Sequence, residues 1–516
     1  MNINKKQILI NLSLCLGIVY ALILRLGPEV ADDAGFFLRY AENMLAGKFW
    51  YWNLGESPVW GASAPIYPVL LVPFLKMGLS GYASVVAVGV LLMSISGVLI
   101  TRILISKFGV VAGVSFYIFL ISDYRIFYWA GAGLETPLTI LLISIAVWSI
   151  LERREGALPV LIGALLMINK IDNLPFAVLF YLSLLCLDGR KAINNILLSI
   201  FFGLTFYIFA WLYFGLPVPN SFLTKAFHQN HMNTLNWLWF TREVTYGQLR
   251  KTLVALSIIY SATAIYSIYK NKFKVTELFV APLFIVSCLT VHWLAYTVKY
   301  PFEPYVWYTL PTVYLLMIIG GISLGWLSRL LCGIYRNSNL AYVKNSLFFV
   351  LGIVALILTR GIYKSEFDID FSGRRLAAVE LVRANAGRWV DLNTDRELTM
   401  YSAWGNSALY AHRISIDGSF LNRKYEDGSL IEKYHPEIVI IRDHDENPYL
   451  YKYEGLSSDL DFEALKKDYL PIVQCSNRDF ETDWHVVSYT VLLRKSHINK
   501  LQNDLNRIDM CKVLTN

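Results

Sequence analysis

"DDAGFFLRYAENMLAGKFWYWNLGESPVWGASAPIYPVLL", residues 32–71, comes shortly after an apolar run, Ile8 to Leu26, near the start of the chain. About 20 apolar residues span a bilayer, so the adjacent carboxylates Asp32 and Asp33 stand where a membrane helix has just ended. Phe36, Phe37, Tyr40 and Met44 fall on one side of a helix expected to run to about Ala46, where Gly47 stops it. Such a helix lies in the plane of the interface. An aspartate at a helix N-terminus caps free N–H groups and is favoured by the helix dipole, which accounts for Asp32 as a capping residue. A second charge beside lipid is costly unless water, a cation or a reaction partner meets it, which makes Asp33 the more informative residue.

The rest of the stretch gathers Trp50, Tyr51, Trp52, Trp60 and Tyr67 around Asn53, Glu56 and Ser57. Aromatics of this kind form belts at the headgroup level. Aromatic faces interleaved with carboxylate and amide groups also suit a sugar ring, with its flat C–H faces and hydroxyl edges. Composition does not choose between the two.

Outward from this stretch, the 516 residues are 55% hydrophobic, 15% aromatic and 16% charged, with a mean hydropathy of +0.45. Those values describe a polytopic membrane protein. Lys5 and Lys6 before the first run resemble a signal peptide, but no small-residue cleavage site follows, so the run reads as a retained first span. The net charge of +7 comes from Lys and Arg gathered in short loops between apolar runs. Membrane topology requires that, and no nucleic-acid partner is needed to explain it. The six cysteines lack the paired spacing of a metal site, and only Cys475 and Cys511 are placed to form a disulfide, provided their domain is extracytoplasmic.

About eleven spans are expected, near 7–26, 82–105, 108–122, 128–150, 156–170, 172–187, 192–214, 252–270, 276–298, 306–328 and 345–361. With a cytoplasmic N-terminus, every inside loop is basic: Lys5 and Lys6, Arg102 and Lys107, Arg153 and Arg154, Arg190 and Lys191, Lys270 to Lys274, then Arg329, Arg336 and Lys344. The outer side receives loops 27–81 and 214–251 and a tail, 362–516. The tail is richer in charge, with helical spacing in "GRRLAAVELVRANAG" (373–387) and strand-like runs in "ELTMYSA", "EIVIIRD" and "HVVSYTVLLRK". The expected architecture is a membrane domain, 1–361, and an extracytoplasmic α/β domain, 362–516.

The first outer loop resembles that of GT-C superfamily glycosyltransferases, and within them most resembles the terminal arabinofuranosyltransferases of mycobacterial cell-wall assembly and their bacterial relatives. Asp32, Asp33, Ala34, Arg39, Tyr40, Asn43, Gly47, Trp52, Asn53, Gly55, Glu56 and Gly61 carry the resemblance. Three further segments follow in the same order: "GAGLETPL" (131–138) through Gly133, Glu135 and Thr136; "NKIDNLPF" (169–176); and "YFGLPVPNSFLTK" (213–225) through Gly215, Pro217, Pro219, Asn220 and Lys225. The second departs from the family's Arg-Pro-Asp-Gly, with Lys170, Ile171 and Asn173 in place of three residues and only Asp172 kept. "ISIDGSF" in the tail resembles a motif of the family's outer domain.

The resemblance implies transfer of a sugar, such as a pentofuranose, from a polyprenyl-phosphate donor to a glycan or protein acceptor of the cell envelope. It places the chemistry on the outer face of a bacterial plasma membrane. The reaction needs a base for the acceptor hydroxyl and fixed positive charge for the departing phosphate. Asp33 is the expected base, with Asp32 as cap, supporting partner or cation ligand, and the two cannot be ranked from sequence. Lys225 is the first candidate for the phosphate, with Arg39, Lys170 and Lys299 near other outer helix ends. Tyr40, Asn53, Glu56, Trp60, Glu135, Asp172 and Asn220 complete the candidate binding residues. Glu135 alternatively forms an ion pair with Lys170 or Arg125, His292 packs between helices, and Tyr401, Trp404 and Tyr410 stack on sugars or on their own core. Dependence on a divalent cation (Mg, Ca or Mn) stays open, with Asp32 and Asp33 as candidate ligands. Three other readings compete: a lipid-linked glycan polymerase or ligase, a flippase for the lipid-linked sugar, and a GT-C-like assembly factor without catalysis.

Overall fold

The computed structural model describes residues 5–26, 29–227, scattered positions in 241–258, 276–298, 306–334, 379–402, 405–417, 430–442, most of 465–477, 488–502 and 505–514. In its membrane half, α1 (Lys5–Ile23) leads to α2 (Asp32–Leu45) and α3 (Ile66–Lys76), both in the first outer loop. Then come α4 (Gly81–Phe108), α5 (Val110–Ser122), α6 (Tyr124–Gly131), α7 (Thr136–Leu151), α8 (Ala157–Asn169), α9 (Leu174–Asp188) and α10 (Ala192–Phe214). The remaining described helices of this half are α11 (Asn220–Phe227), α12 (Glu277–Val298) and α13 (Leu310–Ile334).

Four apolar runs are long enough to cross a membrane, 81–108, 171–214, 277–295 and 307–329, and a bent pair, α5 with α6, makes a fifth. The run 171–214 is two helices turned back on each other, since the Tyr181 hydroxyl on α9 lies 2.7 Å from that of Ser199 on α10. Four apolar helices, 8–23, 66–76, 136–151 and 157–169, are shorter. The expected eleven spans are therefore not all accounted for, and those at 252–270 and 345–361 fall largely or wholly outside the described residues.

Two boundaries differ from expectation. The run 128–150 is not one helix: α6 turns 61° from α5 at Asp123, and the chain breaks again before α7. Asp123 causes the first turn, because its carboxylate accepts the Ile126 N–H (2.9 Å) and a bidentate pair from Arg250. Helix α3, apolar but with Pro73 inside it, was not expected at all.

The basic loops gather at one end of the bundle. Lys107 pairs with Glu152 (3.4 Å), Arg153 with Glu277 (2.9 Å), and Arg329 donates to the Lys107 carbonyl (3.0 Å). The first outer loop and the tail lie at the other end.

The tail holds helices α14 (379–393), α15 (Gly405–Tyr410) and α16 (Leu430–Tyr434). Its strands are β1 (Met400–Ser402), β2 (Ser415–Asp417), β3 (Ile438–Arg442), β4 (Tyr469–Ser476), β5 (Ser488–Arg494) and β6 (Cys511–Val513). They form one six-stranded mixed sheet in the order β2-β1-β3-β5-β4-β6, in which β1 pairs in parallel with β2 and β3 and the remaining pairs are antiparallel. The unbroken apolar run of β3 suits its central place, covered on both faces. Gly387 sits inside α14: a Cβ there would come 2.5 Å from the Ser407 carbonyl, so the glycine serves close packing against α15.

Cys475 and Cys511, directly opposite on β4 and β6, form a disulfide that holds the edge strand to the sheet. Replacing both by serine is expected to cost about 2–4 kcal/mol through the unfolded state. Thermal unfolding of the tail, with and without reductant, measures it; a reductant-insensitive midpoint would contradict it.

Candidate active site

The tail does not hang from the membrane domain; it is bolted to α2. Arg39, a full turn and more beyond the aspartates, is 8% exposed. Its guanidinium donates to the carbonyls of Trp52 (2.9 Å), Ala408 (2.6 Å) and Arg413 (2.7 Å) and to Asn53 Oδ1 (2.8 Å), and lies over the Trp52 ring. Burial brings its pKa down to about 10, which leaves it charged at neutral pH. The Asn53 amide makes both hydrogen bonds of a strand neighbour with Ser415, accepting from its N–H and donating to its carbonyl (3.0 Å each). Because Ser415 begins β2, the edge strand, Asn53 extends the sheet with a side chain. Trp52 Nε1 donates to the same carbonyl (3.1 Å). Glu56 is exposed and takes the other proton of the Asn53 amide (2.9 Å). Thus Arg39, Asn53 and Glu56, expected to bind substrate, stand in the seam between loop and tail.

The fold gives Asp32 partners in the tail. The N-cap of α2 is Ala31, without a side-chain hydrogen bond, so Asp32 does not cap its own helix. It caps another one: Asp32 Oδ1 accepts the backbone N–H of Asn406, at the start of α15 (3.0 Å). The helices meet through two glycines, since a Cβ on Gly35 would stand 2.6 Å from the Gly405 carbonyl carbon and one on Gly405 2.4 Å from the Asp32 carbonyl oxygen. Arg383 of α14 reaches Asp32 at 3.8 Å and Glu380 at 3.1 Å, and its Nε donates to the Tyr489 hydroxyl (2.7 Å). Burial raises the pKa of Asp32 against the pull of Arg383, and raises that of Glu380 to about 8. A second polar contact pins the same seam: Glu29 accepts from Arg388 and from the Tyr410 hydroxyl (2.7 Å). Tyr410 is thereby a seam residue, Tyr401 packs in the tail core, and Trp404 lies outside the described residues.

Asp33, next along α2, stands one helical turn before Phe37, whose ring packs edge-on to Tyr67 of α3 (5.2 Å). The charge of Glu135 bears on Tyr67 in turn. Glu135, at the break before α7, is bound by Lys170 (2.7 Å), which also lies 3.5 Å from Asp172 and over the Tyr308 ring (4.6 Å). The break positions both acids because the chain there leaves helical geometry. His292 of α12 joins this cluster, its Nδ1 2.6 Å from the Thr312 hydroxyl and its ring against Phe176. Of the alternatives for Glu135, the fold selects Lys170 as its partner over Arg125.

Lys170→Met is expected to destabilise the chain by about 3–5 kcal/mol, because Glu135 is left buried beside lost charge, and Lys170→Met with Glu135→Met to recover most of it. Unfolding midpoints in detergent decide this, and equal losses in the single and double variants would refute it.

Tyr40 accepts the Gly61 N–H (3.2 Å), and Asn220 donates its backbone N–H to the Trp60 carbonyl (2.8 Å), joining the two outer loops. The Trp60 indole packs among Phe206, Tyr207 and Phe214. Lys225 lies in α11 and Lys299 just beyond α12, and the side chains of both fall outside the described residues. Glu380, Arg383 and Asn406 were not anticipated; they lie more than three hundred residues from Asp32 in sequence, and no local pattern marks them. Among the described residues no group of three or more His, Cys, Asp or Glu is placed to hold a metal ion. Arg383 places positive charge 3.8 Å from Asp32.

No protein-family model matches this sequence, and no curated protein matches it. Solved structures do. ArnT from Cupriavidus metallidurans, bound to undecaprenyl phosphate, superposes with a TM-score of 0.56 at 11% identity over 95% of this chain and 98% of its own. The oligosaccharyltransferase of Archaeoglobus fulgidus in its apo form gives 0.54 at 11% identity over 92% and 75%. Archaeal AglB from the same organism, in complex with an inhibitory peptide and a dolichol-phosphate, gives 0.50 at 10% over 92% and 75%. The fold is shared with these proteins. The match extends over membrane half and tail alike, and the chain is a helical membrane protein with a C-terminal sheet domain. At this identity the likeness shows the fold alone.

Proposed function

We propose that this protein is a GT-C glycosyltransferase that moves a sugar from a polyprenyl-phosphate donor to a glycan or protein acceptor of the cell envelope, with Asp33 as the base. The observation that carries the reading is the division of labour at the start of α2. Asp32 is taken up by Asn406 and Arg383 of the tail, and Asp33 follows it on α2, one helical turn before Phe37, whose ring packs against Tyr67 of α3. A carboxylate on a helix start that its neighbour fixes is what a base needs.

In the reaction, the acceptor hydroxyl gives its proton to the Asp33 carboxylate as its oxygen bonds to the anomeric carbon. The bond from that carbon to the phosphate oxygen breaks, and its electron pair leaves with the polyprenyl phosphate. Lys170, already charged beside Glu135 and Asp172, supplies positive charge on this face, and Lys225 is a second candidate. Two structures of similar fold are described as holding undecaprenyl phosphate and a dolichol-phosphate, which supports a lipid-phosphate donor here. The loop resemblance favours a pentofuranose, such as arabinofuranose, as the sugar.

The basic loops at one end of the bundle and the disulfide-bearing tail at the other support a cytoplasmic N-terminus and a tail in an oxidising, extracytoplasmic compartment of a bacterial inner membrane. Release of polyprenyl phosphate from a panel of polyprenyl-phosphate sugars by the purified protein tests the function. No turnover of any donor, with a monodisperse protein, counts against it and leaves the non-catalytic reading.

A further inference from the structure

We propose that Arg383 and Glu380, carried by the tail, are positioning residues of the site: they hold Asp32, and through it the first turn of α2, which bears Asp33. The inference rests on the transferase reading above. Four elements converge here. From α14 come Arg383 and Glu380; from α15 comes Asn406, which gives its N–H to Asp32 (3.0 Å) and its side-chain amide to the Val30 carbonyl (3.0 Å) and to Glu380 (3.1 Å). From β5 comes Tyr489, which accepts from Arg383 (2.7 Å). The fourth is α2 itself, with Asp32 3.8 Å from Arg383. Asn406, Glu380 and Asp32 are thus tied to one another, and Arg383 spans the two acids.

Charge makes the arrangement more than a bolt. Asp32, Asp33 and Glu380 act on one another across the seam with Arg383 as the guanidinium between them, and the phenols of Tyr128 and Tyr489 are the other titratable groups within reach of Glu380. Burial works against the charged form of Arg383, yet Tyr489, Glu380 and Asp32 together hold its pKa above the ordinary range, so it keeps its charge. A single guanidinium does not neutralise three carboxylates in a half-dry seam, and Glu380 accordingly retains its proton up to about pH 8. Its ionisation adds a negative charge beside Asp32 and Asp33 and loosens the start of α2. A displacement of about 1 Å at a reacting group costs about 10²-fold in rate.

The test uses the full chain as wild type, Glu380→Gln and Arg383→Lys, with kcat and donor KM followed from about pH 6 to 9 and hydrogen exchange read on peptides covering 29–37 and 405–410. Arg383→Lys is expected to lose about 10²-fold in kcat and Glu380→Gln, which keeps the neutral form of the side chain, much less, with donor KM changed by less than about twofold in both. Wild-type kcat falls as the pH rises through about 8, and that fall is absent in Glu380→Gln. Exchange quickens at 29–37 and 405–410 but not in β3 or β5. An Arg383→Lys variant with the wild-type kcat or a Glu380→Gln variant with the wild-type pH profile overturns the proposal, and so does exchange that rises uniformly across the sheet, which would make the two residues merely structural. A wild type that turns over no donor fails the transferase reading instead, and the positioning role with it.

Discussion

Asp33→Asn leaves a folded, monodisperse protein that releases polyprenyl phosphate about 10²–10⁴-fold more slowly than wild type, the usual contribution of general-base catalysis. The substitution keeps shape and volume and removes only the ability to take a proton. Its structural cost stays within about 2 kcal/mol, the upper range for one charge at a partly buried helix N-terminus. Asp32→Asn behaves differently. It weakens the cap on α15 and the contact with Arg383, so its main effect falls on the docking of the tail and hence on thermal stability. The contrast is the test: with single-turnover rates and unfolding midpoints for both variants, a slower Asp32→Asn than Asp33→Asn at equal stability would exchange the two roles.

Arg39→Ala is expected to destabilise the chain by about 3–5 kcal/mol, against the ~1 kcal/mol of an ordinary substitution. The guanidinium satisfies three backbone carbonyls on two different parts of the chain and stacks on Trp52, and without it those carbonyls are buried unpaired. Arg39→Lys recovers only part of the loss, because a single ammonium cannot reach acceptors spread around a planar fork. Limited proteolysis reads the result directly: the tail of Arg39→Ala is expected to be cut at protease concentrations that leave the wild-type tail intact. Equal digestion of the two would show that Glu29, Asn53 and Asp32 suffice to hold the seam.

Much of the architecture was legible because it obeys local rules. The apolar runs at 82–105, 192–214, 276–298 and 306–328 each appear as helices within a few residues of their expected ends. The helix over 32–46 is α2, and the strands expected in "ELTMYSA", "EIVIIRD" and "HVVSYTVLLRK" are β1, β3 and β5. The conditional disulfide is formed. What failed was what depends on distant partners. Strand β4 contains Pro471, which disguised it, and pairs between β5 and β6 with an irregularity beside the proline. The bend at Asp123 depends on Arg250, more than a hundred residues further on.

By itself the sequence determined that this is a membrane protein, where its basic loops fall, and that a carboxylate pair opens the first outer loop, because hydropathy, charge bias and helix termini are set by residues a few positions apart. Only the tertiary structure decided what Asp32 meets. Asp32 and Asp33 are chemically identical neighbours, and a helix turns successive side chains by about 100°. That turn directs Asp32 at Asn406 and Arg383 in the tail, partners more than three hundred residues away. The same holds for Arg39 and Asn53, whose residue types suit a phosphate or a sugar, and whose partners, brought in from the far end of the chain, make them the fastening between the two domains.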